Sequence, residues 1–275
     1  MNGFPCALAA VLLLVGTPLV AAARTAVADL RDIIDRGELV VAVATRDVAP
    51  HMLARAEGTP GGFEAALARQ MGAAMGVSVR FLRAGASEKD AIAAVAAGRA
   101  DAAMSGIGLD AELAKRVAFS RPYLEESFAV LLPRAAAAKT QGGCPGRNEL
   151  THLAGELGVL EDTTSDRLLR AVTRKVPRTF PSHGLLLGAA LEGKIAAAFM
   201  GEAVARELLR TEPGAALKLR ICSLPGNLSN RVAIAVNPGS TALRLWINVF
   251  LETRVSGMTS KRLVDRDWPQ DWPSP

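Results

Sequence analysis

A glycine-rich loop, Ser105-Gly106-Ile107-Gly108, is the stretch best suited to holding a small molecule. It follows a short apolar run, 102–104, so it sits where a buried strand ends. Neither glycine carries a side chain that would keep a ligand from the backbone amides. A tight turn uses glycine for the same freedom, so the loop alone names no ligand. A second polar pair, Thr163-Thr164, follows Glu161-Asp162 and opens a helical stretch. Hydroxyls and amides at a helix start accept an anion, or simply cap the helix. His51, His152 and His183 show no ligand spacing, so no metal is expected, and the chain shows no cofactor. Cys144 and Cys222 remain once an N-terminal leader is set aside. In an oxidising compartment such an isolated pair is expected to form a disulfide, with two separate thiols as the alternative.

These groups need a scaffold, and 275 residues are too many for one ordinary core, so two lobes are expected. Half the residues are hydrophobic, which suits a well-buried globular chain. One Tyr and three Trp are too few for an aromatic nucleic-acid platform, and the arginines behind the net charge of +5 form no basic run. No nucleic-acid partner is expected. Residues 1–23 carry no ionised side chain, 7–20 are apolar, and Ala21-Ala22-Ala23 offers small residues before Arg24. The segment reads as a cleaved signal peptide, with Ala26-Val27-Ala28 as a second cleavage candidate. Gly16, Thr17 and Pro18 interrupt a run already short for spanning a membrane.

Helix and strand patterns alternate along the rest. Residues 27–37, 63–75, 88–97, 164–174, 184–193, 202–209 and 240–255 read as helices. Residues 38–44, 77–82, 101–105, 128–132, 157–160, 195–200 and 231–236 read as apolar strands. This alternation predicts an α/β protein with mostly parallel sheets covered by helices on both faces. Ligands in such sheets sit beyond the carboxyl ends of the strands.

The ordered pieces resemble a family. LRDIIDRGELVVAV, GGFEAALARQMGAAMGVSVRF, AAVAAGRADAAMSG, RVAFSRPYLEES, LAGELGVLEDTTSD, LEGKIAAAF and RVAIAVNPGS follow the order and spacing of the periplasmic solute-binding proteins of ABC importers, polar amino-acid type (family 3). The resemblance implies a two-lobed, type II periplasmic-binding fold. Lobe 1 would be 29–132 plus 232–275, and lobe 2 would be 133–231, with crossing strands at 128–132 and 232–236. It further implies a monomer in the periplasm that closes on a small-molecule ligand and delivers it to an ABC permease. Cys144 and Cys222 would then share lobe 2.

The same resemblance singles out pocket positions, and here the sequence departs from the pattern. The arginine that grips a ligand carboxylate is replaced by Leu113, with Arg116 three residues on. The aspartate that takes the ligand ammonium is replaced by Gly201, with Glu202 beside it. The first-loop aromatic positions hold Val48 and His51, and Asp162 stands where the family usually has glycine. The expected ligand contacts are therefore Thr45, Arg46, Asp47, His51, Ser105, Gly106, Gly108, Thr163, Thr164 and Glu202, and the ligand is expected not to be a standard α-amino acid. Two other functions fit the frame. One is an accessory or sensor protein for a periplasmic quinoprotein-type dehydrogenase, docking through a tail with Trp268 and Trp272. The other is a cyclohexadienyl-dehydratase-like enzyme drawing acid–base groups from Glu161, Asp162, Glu202 and His51; the absent arginine disfavours its anionic substrates, and no catalytic residue is assigned.

Overall fold

The computed structural model describes residues 28–53, 59–140, 143–146, 148–224 and 228–254. The expected leader at 1–23 and the tail with Trp268 and Trp272 lie outside the described residues.

The first half begins with helix α1 (Leu30–Arg36), opened by the reciprocal Asp29–Asp32 capping box and closed by Gly37 at φ 71°. Strand β1 (Glu38–Ala44), helix α2 (Phe63–Met75), strand β2 (Ser78–Gly85) and helix α3 (Glu88–Ala96) follow, then strands β3 (Ala102–Ala103) and β4 (Ala118–Phe119). Phe63, Leu67 and Met71 form the buried stripe of α2, as their spacing predicts. The long strand β5 (Leu124–Pro133) leaves for the second half. There the order is helix α4 (Arg134–Ala137), strand β6 (Leu157–Leu160), helix α5 (Thr164–Thr173), strand β7 (Arg178–Phe180), helix α6 (His183–Leu191) and strand β8 (Ala197–Gly201). Helices α7 (Glu202–Thr211) and α8 (Pro213–Lys218) lead to strands β9 (Leu219–Ser223), β10 (Ser229–Val232) and β11 (Ala235–Val236), and helix α9 (Thr241–Arg254) ends the described chain.

Two sheets result. The first runs β2-β1-β3-β11-β4 and the second β10-β5-β8-β6-β7, with β9 also paired to β5. The β1–β2, β1–β3, β6–β7 and β6–β8 pairs are parallel; antiparallel pairing enters through β5 and β11. Both sheets are thus mixed, with parallel β-α-β segments at their centres and helices on their faces. Each has its own apolar core. Leu39, Val41, Phe63, Met71 and Leu243 belong to the first, and Phe128, Val130 and Phe199 to the second, where Phe128 and Phe199 stack at 5.1 Å.

The ribbon joining the sheets is Leu124–Ser127 paired antiparallel with residues 229–232. Residues 128–132 run inside the second sheet, against 198–201 on one side and 220–223 on the other. The segment read as one strand over 231–236 is instead two, β10 and β11. Gly108 bridges to Val232, and the amide of Ala233 donates to the carbonyl of Ile107, so the chain turns between sheets here. This junction places the Gly106–Gly108 loop against the ribbon.

Cys144 and Cys222 are bonded, closing a loop of sequence separation 78 within the second half. A loop of that length restricts the unfolded chain strongly. Serine at both positions is expected to lower unfolding free energy by about 4 kcal/mol. Melting under reducing and non-reducing conditions checks this; equal midpoints would contradict it.

Candidate functional site

A cleft of about 620 Å³, counting its open mouth, lies between the sheets. The carboxyl end of β1 supplies Ala44 and, just beyond it, Arg46, Val48 and His51. Ser87 and Glu88 come from the start of α3, and Ser105 and Gly106 from the loop after β3. From the other side come Thr163, Thr164 and Ser165 at the start of α5, His183 of α6, Gly201 at the end of β8, and Glu126 and Asn230 of the ribbon.

Of the positions expected from sequence, Arg46, His51, Ser105, Gly106, Thr163 and Thr164 line this cleft. Gly108 sits just behind it, its amide donating to Thr164 Oγ1 at 3.3 Å. A Cβ at position 108 would lie 2.7 Å from Thr164 Cγ2, so glycine there lets the two halves meet. Thr45 and Asp47 are exposed and do not line the cleft. Glu202 is not brought in either: it opens α7 and is held by Arg206 one turn on, at 2.9 Å from Nε. An acidic residue in a first helical turn, paired at i+4, gains from both the dipole and the ion pair.

The most buried polar groups lie beside and behind the cleft, and apart from His51 they come from places the sequence reading passed over. His51, Glu64 and Glu126 are 1%, 0% and 4% exposed, and Tyr123 closes the set. His51 Nε2 lies 3.1 Å from Glu126 Oε1. Glu64 accepts from the Gly106 amide at 2.9 Å on both oxygens and from the Tyr123 hydroxyl. Burial alone would lower the His51 pKa, but Glu126 and Glu64 together overcome it and the net shift is upward. Burial raises the Glu64 carboxyl, with His51, Tyr123 and the Gly106 amide opposing only in part. His183 goes the other way, to about 4, because burial disfavours its imidazolium. The signal for Glu64 was a carboxylate inside the apolar stripe of α2. For Glu126 it was a polar start to a strand whose other residues are apolar.

A second cluster straddles the cleft. Arg167 of α5 reaches Glu88 at 3.0 Å and Asp110 at 2.8 Å, both from the first half. Its Nη2 donates to Thr164 Oγ1 at 2.9 Å. Thr164 Oγ1 lies 3.3 Å from both Glu88 oxygens, and its amide also donates to Glu88. Glu88 therefore seats its carboxyl on the positive end of α5, where an anionic ligand would go. Burial raises its pKa to about 7 against the pull of Arg167 and Thr164. Lys89 pairs with Asp162 beside it, and Arg46 donates to the Glu161 carbonyl at 3.0 Å. Asp162 adopts φ 56°, the left-handed conformation that glycine takes most easily and Asp tolerates. Among the described residues no cluster of His, Cys, Asp and Glu has metal-binding form.

Position 113 does not face the cleft. Leu113 packs on the first-half cluster of Val40, Ala42 and Val117, and Arg116 is exposed. At Gly201 the reason for glycine is visible: a Cβ there would lie 2.6 Å from Glu126 Cδ. Glu126 is pinned by His51, so Gly201→Ala is expected to push it off that bond. The expected loss is about 1–3 kcal/mol of stability, read from thermal melts. A variant melting like the parent would show that Glu126 has room to move.

A family model, that of the bacterial extracellular solute-binding proteins of family 3, matches residues 39–267. The chain belongs to this family. The solute-binding protein is 26% identical over 171 residues to the ABC transporter arginine-binding protein 1 of Escherichia coli K12, covering 62% of this chain and 67% of that one. It is also 33% identical over 143 residues to the membrane-bound lytic murein transglycosylase F of Maricaulis maris MCS10, covering 52% of this chain but only 29% of that protein. Among solved structures it is similar to an ancestral cationic amino acid solute-binding protein, AncCDT-1, at 25% identity and TM-score 0.64, covering 82% and 92% of the two chains. The two-lobed α/β architecture expected from the sequence is the one found. No helix among the described residues is long and apolar enough to cross a membrane.

Proposed function

We propose that this solute-binding protein captures a small polar solute other than a standard α-amino acid and delivers it, in the periplasm, to an ABC importer. Its relative in E. coli is named for an ABC transporter and for arginine, which supports the importer role and sets amino acids as the class to test against. One observation carries the departure from that class. Glu88 places a protein carboxyl on the α5 start, held by Thr164 and Arg167. The position is filled from within, and Leu113 supplies no replacement cation. A ligand carboxylate would have to displace Glu88 and overcome its repulsion.

In this reading the halves on either side of the 124–127/229–232 ribbon act as lobes that open about it, with 128–132 in the second lobe rather than the first as the sequence suggested. Thr163, Arg46 and His51 contact the solute, and the chain works as a monomer. Calorimetric titration of the mature chain with the common α-amino acids tests the reading. The expected result is no binding tighter than millimolar. Micromolar binding of any of them would overturn it.

A further inference from the structure

Glu126 is a buried carboxylate inside the cleft with half of its capacity unused. Its Oε1 faces His51 Nε2 at 3.1 Å. Among the described residues no donor reaches Oε2 within hydrogen-bonding distance. The carboxylate lies over Gly201, whose missing side chain leaves it room and opens that wall. His51 is 1% exposed and lines the same cleft, and its Nδ1 is buried with no hydrogen-bond partner. A carboxylate only accepts, so Nε2 carries the proton of that bond, and Nδ1 on the other side of the ring points away from Glu126. Asn230 completes the wall, with a side-chain amide that makes no hydrogen bond among the described residues. One carboxylate oxygen without a protein donor and an unbonded side-chain amide lie on this wall, and a charged donor gains most from such a carboxylate.

The opposite end of the cleft has the reverse character. There the cationic Arg167 and the start of α5 are already occupied by Glu88 and Asp110. A ligand thus meets an open carboxylate oxygen at one end and, at the other, a cation already paired with two carboxylates.

We infer that the solute is a small organic cation without a carboxylate, an aliphatic amine or guanidinium compound, whose charged nitrogen sits on Glu126 beside Asn230 and Gly201. The inference rests on the reading of the chain as a solute-binding protein and adds the class of solute. The charged nitrogen donates to Glu126 Oε2 and the Asn230 side-chain carbonyl, while His51 holds the other carboxylate oxygen. The first of these bonds is charge-assisted, and an ammonium has donors for both. The apolar remainder lies along Val48, Phe199, Met200 and Val204, which line the cleft beside it.

Matched pairs that differ only in the carboxylate give the test: agmatine against arginine, and cadaverine against lysine, titrated calorimetrically into the mature chain. Each amine is expected to bind at least tenfold more tightly than its amino acid. Glu126→Gln is expected to lose at least tenfold in amine affinity. Asn230→Asp, which adds a carboxylate to the same wall without changing its shape, is expected to gain at least threefold. Should Glu126→Gln fail to fold, the matched pairs and Asn230→Asp decide alone. An amino acid that binds as well as its amine, or amine affinity unchanged in the variants, overturns the inference. Binding of a neutral solute such as a sugar in place of the amines overturns the cation assignment and leaves the solute-capture reading standing. If no amine, amino acid or neutral solute gives heat at millimolar concentration, solute capture falls and the cation assignment falls with it.

Discussion

Replacing Glu88 by alanine is expected to give the cleft a carboxylate-binding site it does not now have. With the side chain gone, the Thr164 hydroxyl and amide lose their acceptor, and Arg167 keeps only Asp110 as an ionic partner. A free α-carboxylate then finds a helix start, a hydroxyl and one edge of a guanidinium, the geometry that favours it. An α-amino acid that does not bind the parent is expected to bind the variant at least tenfold better, about 1.4 kcal/mol. Calorimetry on both proteins reads this directly, and unchanged amino-acid affinity would show that Glu88 does not occupy the anion position. The isosteric Glu88→Gln separates shape from charge: it keeps the space filled and is expected to gain little.

The same residue gives a pH signature. Its carboxyl titrates at about 7 in the fold, above the ordinary value of 4.5. Folding therefore takes up a proton between these values, and the stability Glu88 contributes is fully present below about 4.5 and lost as pH rises through about 7. The melting midpoint of the parent, relative to Glu88→Gln, is expected to fall from pH 5 to pH 8. A constant difference would contradict the shift.

Much of this molecule was legible because burial writes itself into sequence by simple periods. The apolar runs of β1, β5 and β6 and the stripe on α2 were readable, and with the ordered motifs they gave the two-lobed fold. The first cleft loop, the Gly106–Gly108 turn and Thr163-Thr164 were readable too, since ligand sites of α/β sheets lie at strand ends. The polar core was not. Glu64, Glu88, Glu126 and Arg167 lie at sequence distances of 24 to 103 from one another, and only the fold brings them around one cleft. Each looked locally like an ordinary charged residue on a helix or at a strand start. Glu202 shows the converse: its place beside the expected aspartate was right, but a helix start turns its side chain along its own axis to Arg206. At 201, where the family resemblance expects a carboxylate, Glu126 brings one close from another strand: a Cβ on Gly201 would lie 2.6 Å from its Cδ.

A large loss of stability is expected from Glu64→Leu. Glu64 is fully buried on α2 and is the shared acceptor for the Gly106 amide and the Tyr123 hydroxyl. Leucine fills most of the volume but leaves two buried donors unmet, each costing about 1–3 kcal/mol. It also removes a carboxylate that supports the His51 proton. The expected sum is about 3 kcal/mol or more, which for a chain of this size lowers the melting midpoint by roughly 6–12 °C. Tyr123→Phe removes one donor and is expected to do less harm in the leucine background than in the parent. A double-mutant cycle of the two measures that coupling, expected at about 0.5–3 kcal/mol. Additive losses would mean that the hydroxyl and the carboxylate act independently. The Gly106 loop would then be held by packing, and its amide would be free to turn towards a ligand. Coupled losses mean that the loop is fixed from behind by Glu64, so that the cleft presents His51 and Glu126, rather than loop amides, to whatever it binds.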